Sequence, residues 1–317
     1  MTEPVSATAH AHPNIALVKY WGKAPRPGNV PASPSLSITL DGLTTTTTVT
    51  LTGREDTVYL DDRPVADAKI AACLDNLRRR FDIPPVEVRT RNDFPTAAGL
   101  ASSASGFAAL VTAVDAACAL GLSAAVRSDL ARQASASAAR SIFGGYVVLE
   151  EPEWQGRPLL EGGAWPLRVV VAVTSDTAKT TSSSEGMRAS AASPFFSGWV
   201  DSTRDDFAAA RFAVLERDFE RLADVAEHSC LKMHGLMMAT RPALLYWNPA
   251  TLACIQRVRA LRDQGVPVFF TVDAGPQVKA VCLPEAEAAV AAALQEVAGV
   301  QRILTAGLGG GARVAGR

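Results

Sequence analysis

The chain has 317 residues, 48% of them hydrophobic and 20% charged, with a formal net charge of −1. That composition describes a globular protein with a sizeable core and excludes an intrinsically disordered one. The balanced charge excludes a surface-wide field for nucleic acid or an anionic membrane, so an anionic ligand must meet locally placed cations.

The N-terminal stretch MTEPVSATAHAHPN lacks the basic-then-apolar pattern of a signal peptide, and no apolar run reaches membrane-span length, which predicts a cytoplasmic, soluble protein. Residues 1–13 read as a flexible arm. LSITL (36–40) and TTTTTVTLT (44–52) are rich in β-branched residues and predict strands. The apolar spacing over 68–81 predicts an amphipathic helix. VEVRTRNDF (86–94) predicts a strand, followed by helices over 104–120 and 123–136. SIFGGYVVL (141–149) and LRVVVAVT (167–174) predict strands, with Gly144 and Gly145 allowing a bend. Further helices are predicted at 207–232, 249–264 and 284–298, with strands at 267–273, 279–283 and 302–306. The mixture favours α+β lobes over strict βαβ alternation, with a lobe boundary near 167–190.

The stretch NDFPTAAGLASSASGFAAL (92–110) concentrates small and hydroxylated residues at the mouth of a helix. Gly99 would let the backbone approach a ligand, Ser102, Ser103 and Ser105 offer hydroxyls, and the helix would aim its free N–H groups and positive dipole end there. It is not a Walker A loop, which needs a lysine, and none lies between 70 and 178. On local pattern, a phosphate cradle and a tightly packed structural turn fit equally.

The cations sharpen the choice. The six lysines (Lys19, Lys23, Lys69, Lys179, Lys232, Lys279) stand against twenty-five arginines, so lysine is kept where a compact ammonium matters. Two of the six fall in NIALVKYWGK, an otherwise apolar and aromatic stretch, and Lys179 lies in the hydroxyl-rich SDTAKTTSSSEGM. VFFTVD is a strand pattern ending on Asp273, which predicts a carboxylate at a site mouth; a helix N-cap is the alternative. GLGGGA (307–312) has no following helix and predicts a flexible tail rather than a nucleotide loop. His228 and His234 are six apart, poor spacing for one metal on one helix, and the five separated cysteines contain no CxxC pair.

In order along the chain, NIALVKYWGK, PASPSLSITL, DFPTAAGLASSASGFAAL, SASAARSIFGGYV, SSSEGMRASAASPFFSGWV and VFFTVDAGPQVK resemble diphosphomevalonate decarboxylases. These belong to the superfamily of galactokinase, homoserine kinase, mevalonate kinase and phosphomevalonate kinase (the GHMP kinases). The resemblance implies a two-lobed α+β fold. An N-terminal ribosomal-protein-S5-like ATP-binding lobe (14–180) and a C-terminal α/β sandwich lobe (181–317) would flank the active site. It implies ATP-dependent decarboxylation of 5-diphosphomevalonate to isopentenyl diphosphate, with ATP and Mg²⁺ as cofactors and a homodimer as assembly. A kinase that stops after phosphoryl transfer, a decarboxylase of the monophosphate and a non-catalytic sensor are the other readings.

Carried over by motif, Asp273, Lys19 and Arg140 would be catalytic, with Arg140 gripping the substrate carboxylate and Asn14 holding the Lys19 region. Tyr20, Trp21, Gly22, Lys23, Lys69, Ser135, Ala136, Ser137, Ala138, Ala139, Ser183 and Ser184 would contact the substrate. Pro95, Gly99, Leu100, Ala101, Ser102, Ser103, Ser105 and Lys179 would hold ATP, with Ser103 a candidate Mg²⁺ contact. Ser184 stands where many family members carry Arg or Thr, and Lys69 where several carry Arg.

Overall fold

A computed structural model describes residues 5–94, 102–177 and 179–316. In chain order the elements are β1 (Ser6–Ala11), β2 (Asn14–Val18), β3 (Ser35–Thr39), β4 (Thr45–Leu51), β5 (Thr57–Leu60), β6 (Arg63–Pro64), α1 (Ala68–Arg78) and β7 (Val86–Asn92). Then come α2 (Ser102–Ala117), α3 (Ala124–Ala134), α4 (Ala138–Ser141), β8 (Tyr146–Leu149), β9 (Gly156–Leu160), β10 (Arg168–Val173) and α5 (Ser183–Ser190). The rest are α6 (Phe196–Glu216), α7 (Phe219–Met238), α8 (Pro249–Asp263), β11 (Val268–Val272), β12 (Val278–Cys282), α9 (Glu287–Gln295), β13 (Arg302–Ala306) and β14 (Arg313–Val314). No helix among the described residues is long and apolar enough to cross a membrane.

Three sheets organise the fold. The first runs β14-β1-β4-β7-β5-β6, the second β2-β3-β8-β9 and the third β11-β12-β10-β13. The threonine run forms β4, whose alternate residues Thr45, Thr47 and Val49 are buried beneath α2. Its buried hydroxyls are satisfied locally: Thr47 bonds Thr90 at 2.9 Å and Thr45 bonds Ser105 of α2 at 2.6 Å. The third sheet is covered on both faces. Val169, Val171 and Phe269 pack with Ile15 and Leu17 of the second sheet and with α6 and α7, while Val170, Phe270 and Val278 pack under α8 and α9. That double burial explains why LRVVVAVT shows no alternation.

The structure corrects several expectations. Residues 6–11, expected within a flexible arm, pair along β4 as β1. The helix expected over 207–232 is two: α6 starts at Phe196, and the chain turns at Arg217, whose φ of 57° is left-handed, before Asp218 caps α7. SIFGG is no strand, because residues 138–141 form α4 and Gly145 turns the chain with φ +68° into β8. Nor is GLGGGA a loose tail. Gly309 donates to Thr39 O and accepts from Gly145 N, and β14 beyond it pairs with β1, so the C-terminus fastens onto the first half of the chain.

The strap needs glycine at one point above others: a Cβ on Gly309 would sit 2.2 Å from Leu40 O, whereas one on Gly310 would meet nothing closer than 3.9 Å. Gly309→Ala is therefore expected to destabilise the protein by about 1–3 kcal/mol in urea unfolding. Gly310→Ala stays within about 0.5 kcal/mol of wild type.

Candidate active site

Strand parity builds the centre of the site. Phe269, Thr271 and Asp273 alternate onto the face of the third sheet that meets β2, and Asp273 follows the last residue of β11. No helix follows it; Gly275 N donates to Asp273 O at 2.7 Å in a tight turn to β12, which removes the N-cap alternative. Lys19, the residue after β2, points its Nζ at Asp273 Oδ1 at 2.5 Å, and Lys279 of β12 places its Nζ 3.1 Å from Oδ2. Both lysines are 1% exposed; the Asp273 side chain keeps a quarter of its surface open to the cleft.

Burial alone would raise the Asp273 carboxyl, but the two ammonium groups outweigh it and hold the carboxyl well below the usual carboxylate range. Burial likewise lowers Lys279, which Asp273 opposes and Lys19 reinforces. Two ammonium groups on one carboxylate leave a buried excess of positive charge, which a further anion would relieve.

Arg140 supplies the second centre. It projects from α4 and is 1% exposed. Its guanidinium donates to Ser37 Oγ at 2.9 Å, Ser35 Oγ at 2.6 Å and Asn14 Oδ1 at 3.2 Å. Asn14 in turn donates to Ser137 O at 2.9 Å and Ser141 Oγ at 2.7 Å. Asn14 thus holds Arg140 rather than the Lys19 region, which is a correction. Burial lowers Arg140 to about 10, opposed by Tyr20 and Asp273, so it stays cationic at neutral pH. The Tyr20 ring lies 5.7 Å from its Cζ. Among the described residues, the hydrogen bonds of the Arg140 guanidinium go to neutral oxygens.

Both centres open onto one cleft of about 280 Å³. Among the described residues its lining carries five cations (Lys19, Lys23, Lys69, Arg140 and Lys179) and a single carboxylate, Asp273. Tyr20, Ser135, Ala136, Ser137, Ser183 and Ser184 complete one wall, with Ser102 and Ser103 at the first turn of α2. Lys179 Nζ donates to Ser183 Oγ at 2.8 Å and Ala274 O at 3.1 Å. Burial lowers the Lys23 ammonium, and the charges of Arg188 and Lys69 lower it further. A second cavity of about 200 Å³ adjoins the first, sharing Lys69, Ser102, Ser103 and Phe107 and continuing to Thr47, Leu60, Val88 and Leu110.

Several sequence-predicted residues lie elsewhere. Ser105 is fully buried, its hydroxyl spent on Thr45, so it packs α2 against β4 rather than facing ligand. Ala138 and Ala139 are fully buried and absent from the lining. Gly22, with φ +108°, is closed in by Phe196. Trp21 reaches the cleft, but its indole donates to Ser190 at 2.9 Å. Pro95, Gly99, Leu100 and Ala101 fall outside the described residues. His228 is exposed and His234 buried, so they share no ligand. Lys279 is the residue that sequence reasoning missed. The signal was available, as one of only six lysines inside the apolar run VKAVC.

Two family models match consecutive parts of the chain: the diphosphomevalonate decarboxylase-like N-terminal domain over residues 11–156 and the mevalonate 5-diphosphate decarboxylase C-terminal domain over residues 169–307. The chain belongs to the diphosphomevalonate decarboxylase family. Its relatives include the diphosphomevalonate decarboxylases of Candida albicans, 34% identical over 86% of this chain and 82% of the relative, and of Homo sapiens, 34% identical over 92% and 80%. Among solved structures, the mevalonate diphosphate decarboxylase of Enterococcus faecalis is similar with a TM-score of 0.90 and 35% identity, covering 98% of this chain and 99% of that one. A structure of MDDEF in complex with MVAPP, AMPPCP and magnesium gives a TM-score of 0.91 at 36% identity over the same shares. On this division Lys19 and Arg140 come from the first family domain and Asp273 and Lys279 from the second, so the decarboxylase-family cleft is assembled by both.

The charge arrangement predicts a pH-dependent loss. Asp273→Asn leaves two buried ammonium groups facing each other and is expected to cost about 3 kcal/mol at neutral pH. A carboxyl held below its unfolded value stabilises the fold above that value and loses this contribution as the pH falls toward the folded one. The gap between wild type and Asp273→Asn, measured by denaturant unfolding, therefore begins to narrow below about pH 4.

Proposed function

We propose that the protein catalyses ATP-dependent decarboxylation of 5-diphosphomevalonate to isopentenyl diphosphate, with Asp273 and Arg140 as its central groups. One observation carries the reading: a carboxylate paired with two lysines and a buried guanidinium bonded, among the described residues, to neutral oxygens open onto the same cation-lined cleft. Arg140 is suited to fork onto the substrate carboxylate, a group that a pure kinase has no need to fix. Lys23 and Lys69 stand at the place for the diphosphate, since burial and the charges of Arg188 and Lys69 disfavour the Lys23 ammonium until an anion lies beside it. The hydroxyls of Ser135, Ser137, Ser183 and Ser184 complete that wall.

Asp273 lies where it can accept a hydrogen bond from the tertiary C3 hydroxyl. Its depressed pKa makes it a weak base, so it orients the hydroxyl and takes the proton late, as the new O–P bond acidifies that oxygen. Phosphate then departs with the C–O bonding pair. Positive charge developing at C3 is relieved as the carboxylate's C–C bond electrons form the alkene and carbon dioxide leaves. The negative Asp273 favours that developing charge.

The nucleotide's place is the second cavity, with an apolar wall for the base and the open first turn of α2 for phosphates. Lys19, bonded to Asp273, and Lys179, bonded to Ala274 O, line the cleft and would meet the transferring phosphoryl. Among the described residues no group of three or more His, Cys, Asp or Glu could hold a metal, which fits magnesium borne by the nucleotide, with the Ser103 hydroxyl in the cleft lining as its protein contact. Magnesium there neutralises phosphate charge. The reading extends to a cytoplasmic homodimer, which sedimentation tests: a single 33.3 kDa chain at micromolar concentration overturns it.

The chemical test follows products together. Wild type with MgATP and 5-diphosphomevalonate is expected to release carbon dioxide, ADP and phosphate in equal amounts. Asp273→Asn is expected to slow turnover about a thousandfold while still binding ATP. ADP release without carbon dioxide would replace this reading with a kinase, and turnover of the monophosphate alone would move the substrate.

A further inference from the structure

β11 is an edge strand of the third sheet, paired only with β12. Outward backbone groups on such an edge ordinarily meet water or invite another strand. Here side chains of α7 take them. Glu227 Oε1 accepts from Phe270 N at 3.1 Å, Cys230 Sγ accepts from Val272 N at 3.2 Å, and His234 Nε2 lies 3.2 Å from Val272 O. Glu227, Cys230 and His234 are spaced i, i+3, i+7, which puts them on one stripe of the helix. Beside that stripe Ser229 Oγ accepts from Lys19 N at 3.0 Å. All four residues are buried.

His234 packs against Trp247, ring centroids 4.5 Å apart; the indole nitrogen lies 3.2 Å from the same Nε2, so the two contacts compete for that atom, and the tautomer with its proton on Nε2 is the one that donates to Val272 O. Burial pushes its pKa down to about 3, so the ring is neutral at working pH. The HSCLKMH segment, with its poor metal spacing, thus has another use. One helix face grips the backbone next to both members of the Lys19–Asp273 pair, through Ser229 on one side and Val272 on the other.

We propose that α7 is the positioning element of the catalytic ion pair, with His234 as the positioning residue that fixes Asp273 through the Val272 carbonyl. The inference rests on the function proposed above for what it says of turnover, but not for what it says of the carboxylate. A peptide plane joins Val272 to Asp273, so losing the His234 contact leaves the carbonyl to the long Cys230 Sγ contact at 3.5 Å and lets the strand end drift from Lys19 and Lys279. A displacement near 1 Å is enough to cost about a hundredfold in rate. A histidine that only filled the core would affect stability and leave the carboxylate's environment alone.

The experiment compares His234→Phe, which keeps the ring and removes the donor, with His234→Gln, whose amide restores a donor near the Nε2 position. The charged and titratable groups acting on Asp273 are Lys19 after β2, Lys279 on β12, Arg140 on α4, Lys179 before α5, Tyr20, and Cys230 on α7. His234 on α7 also faces Asp273, and it is the one group that the substitutions remove; its ring is neutral at working pH, and the others are left unaltered. In ligand-free protein, the ¹³C midpoint of the Asp273 carboxyl is expected to rise by about one pH unit or more in His234→Phe and to stay at the wild-type value in His234→Gln. In turnover, His234→Phe is expected to lower kcat about 10- to 100-fold with KM for both substrates changed less than roughly threefold, and His234→Gln to recover most of it.

An unmoved carboxyl midpoint in His234→Phe, or equal impairment of the two variants, overturns the inference. Absence of wild-type turnover overturns the proposed function instead, and the carboxyl midpoint still decides the inference. If His234→Phe does not fold, Ser229→Ala takes its place: a wild-type midpoint and kcat there would equally overturn the positioning role.

Discussion

A single carboxylate held between two buried ammonium groups is the constraint on which this architecture turns. Lys19 arrives from the end of β2, Lys279 from the middle of β12 and Asp273 from the end of β11, so three strands of two sheets must meet in register for the triad to exist. Placing two cations where burial disfavours both is costly, and one carboxylate compensates only part of it. The remainder is a standing demand for anions. The cleft answers it with an opening lined by five cations and sized for a small polyanion.

Arg140 extends the same logic. A guanidinium buried among serine hydroxyls and an asparagine amide is solvated by the protein yet, among the described residues, left without a carboxylate at hydrogen-bond range. The serines of β3 and Asn14 of β2 orient it before any ligand arrives, so the fork is preorganised. The short α4 that carries it leads into the segment clasped by the C-terminal glycine strap, where Ala312 N donates to Ile142 O and Gly145 N to Gly309 O. β1, β14 and the Arg140 guanidinium are therefore parts of one packed unit.

Much of this was legible in the residues. The scarcity of lysine drew attention to Lys19, Lys23 and Lys179, which line the cleft, while Lys232 pairs with Asp206. Asp273 could be placed because a strand pattern ended on it. Alternation could not mark Lys279 as facing a site, because a doubly buried strand shows none, so its rarity as a lysine in an apolar run was its signal. The turn at Arg217 was invisible because a left-handed arginine carries none of the signal of a C-capping glycine. The glycine strap read as a loose tail because its order comes from distant backbone, from Leu40 and Ile142, and not from its own neighbours. Ser105 looked like a ligand contact since local sequence cannot say which side of a helix a sheet will cover. The motif resemblance named the family where periodicity alone stopped at an α+β fold.

The central claim is that Asp273 is ionised at neutral pH because Lys19 and Lys279 hold it so. An isotope-edited infrared difference spectrum, wild type minus Asp273→Asn with ¹³C-labelled aspartate, reads that state directly. The account predicts an ionised-carboxylate stretch lost on substitution throughout the neutral range; the loss of a protonated carboxyl C=O stretch instead would contradict it.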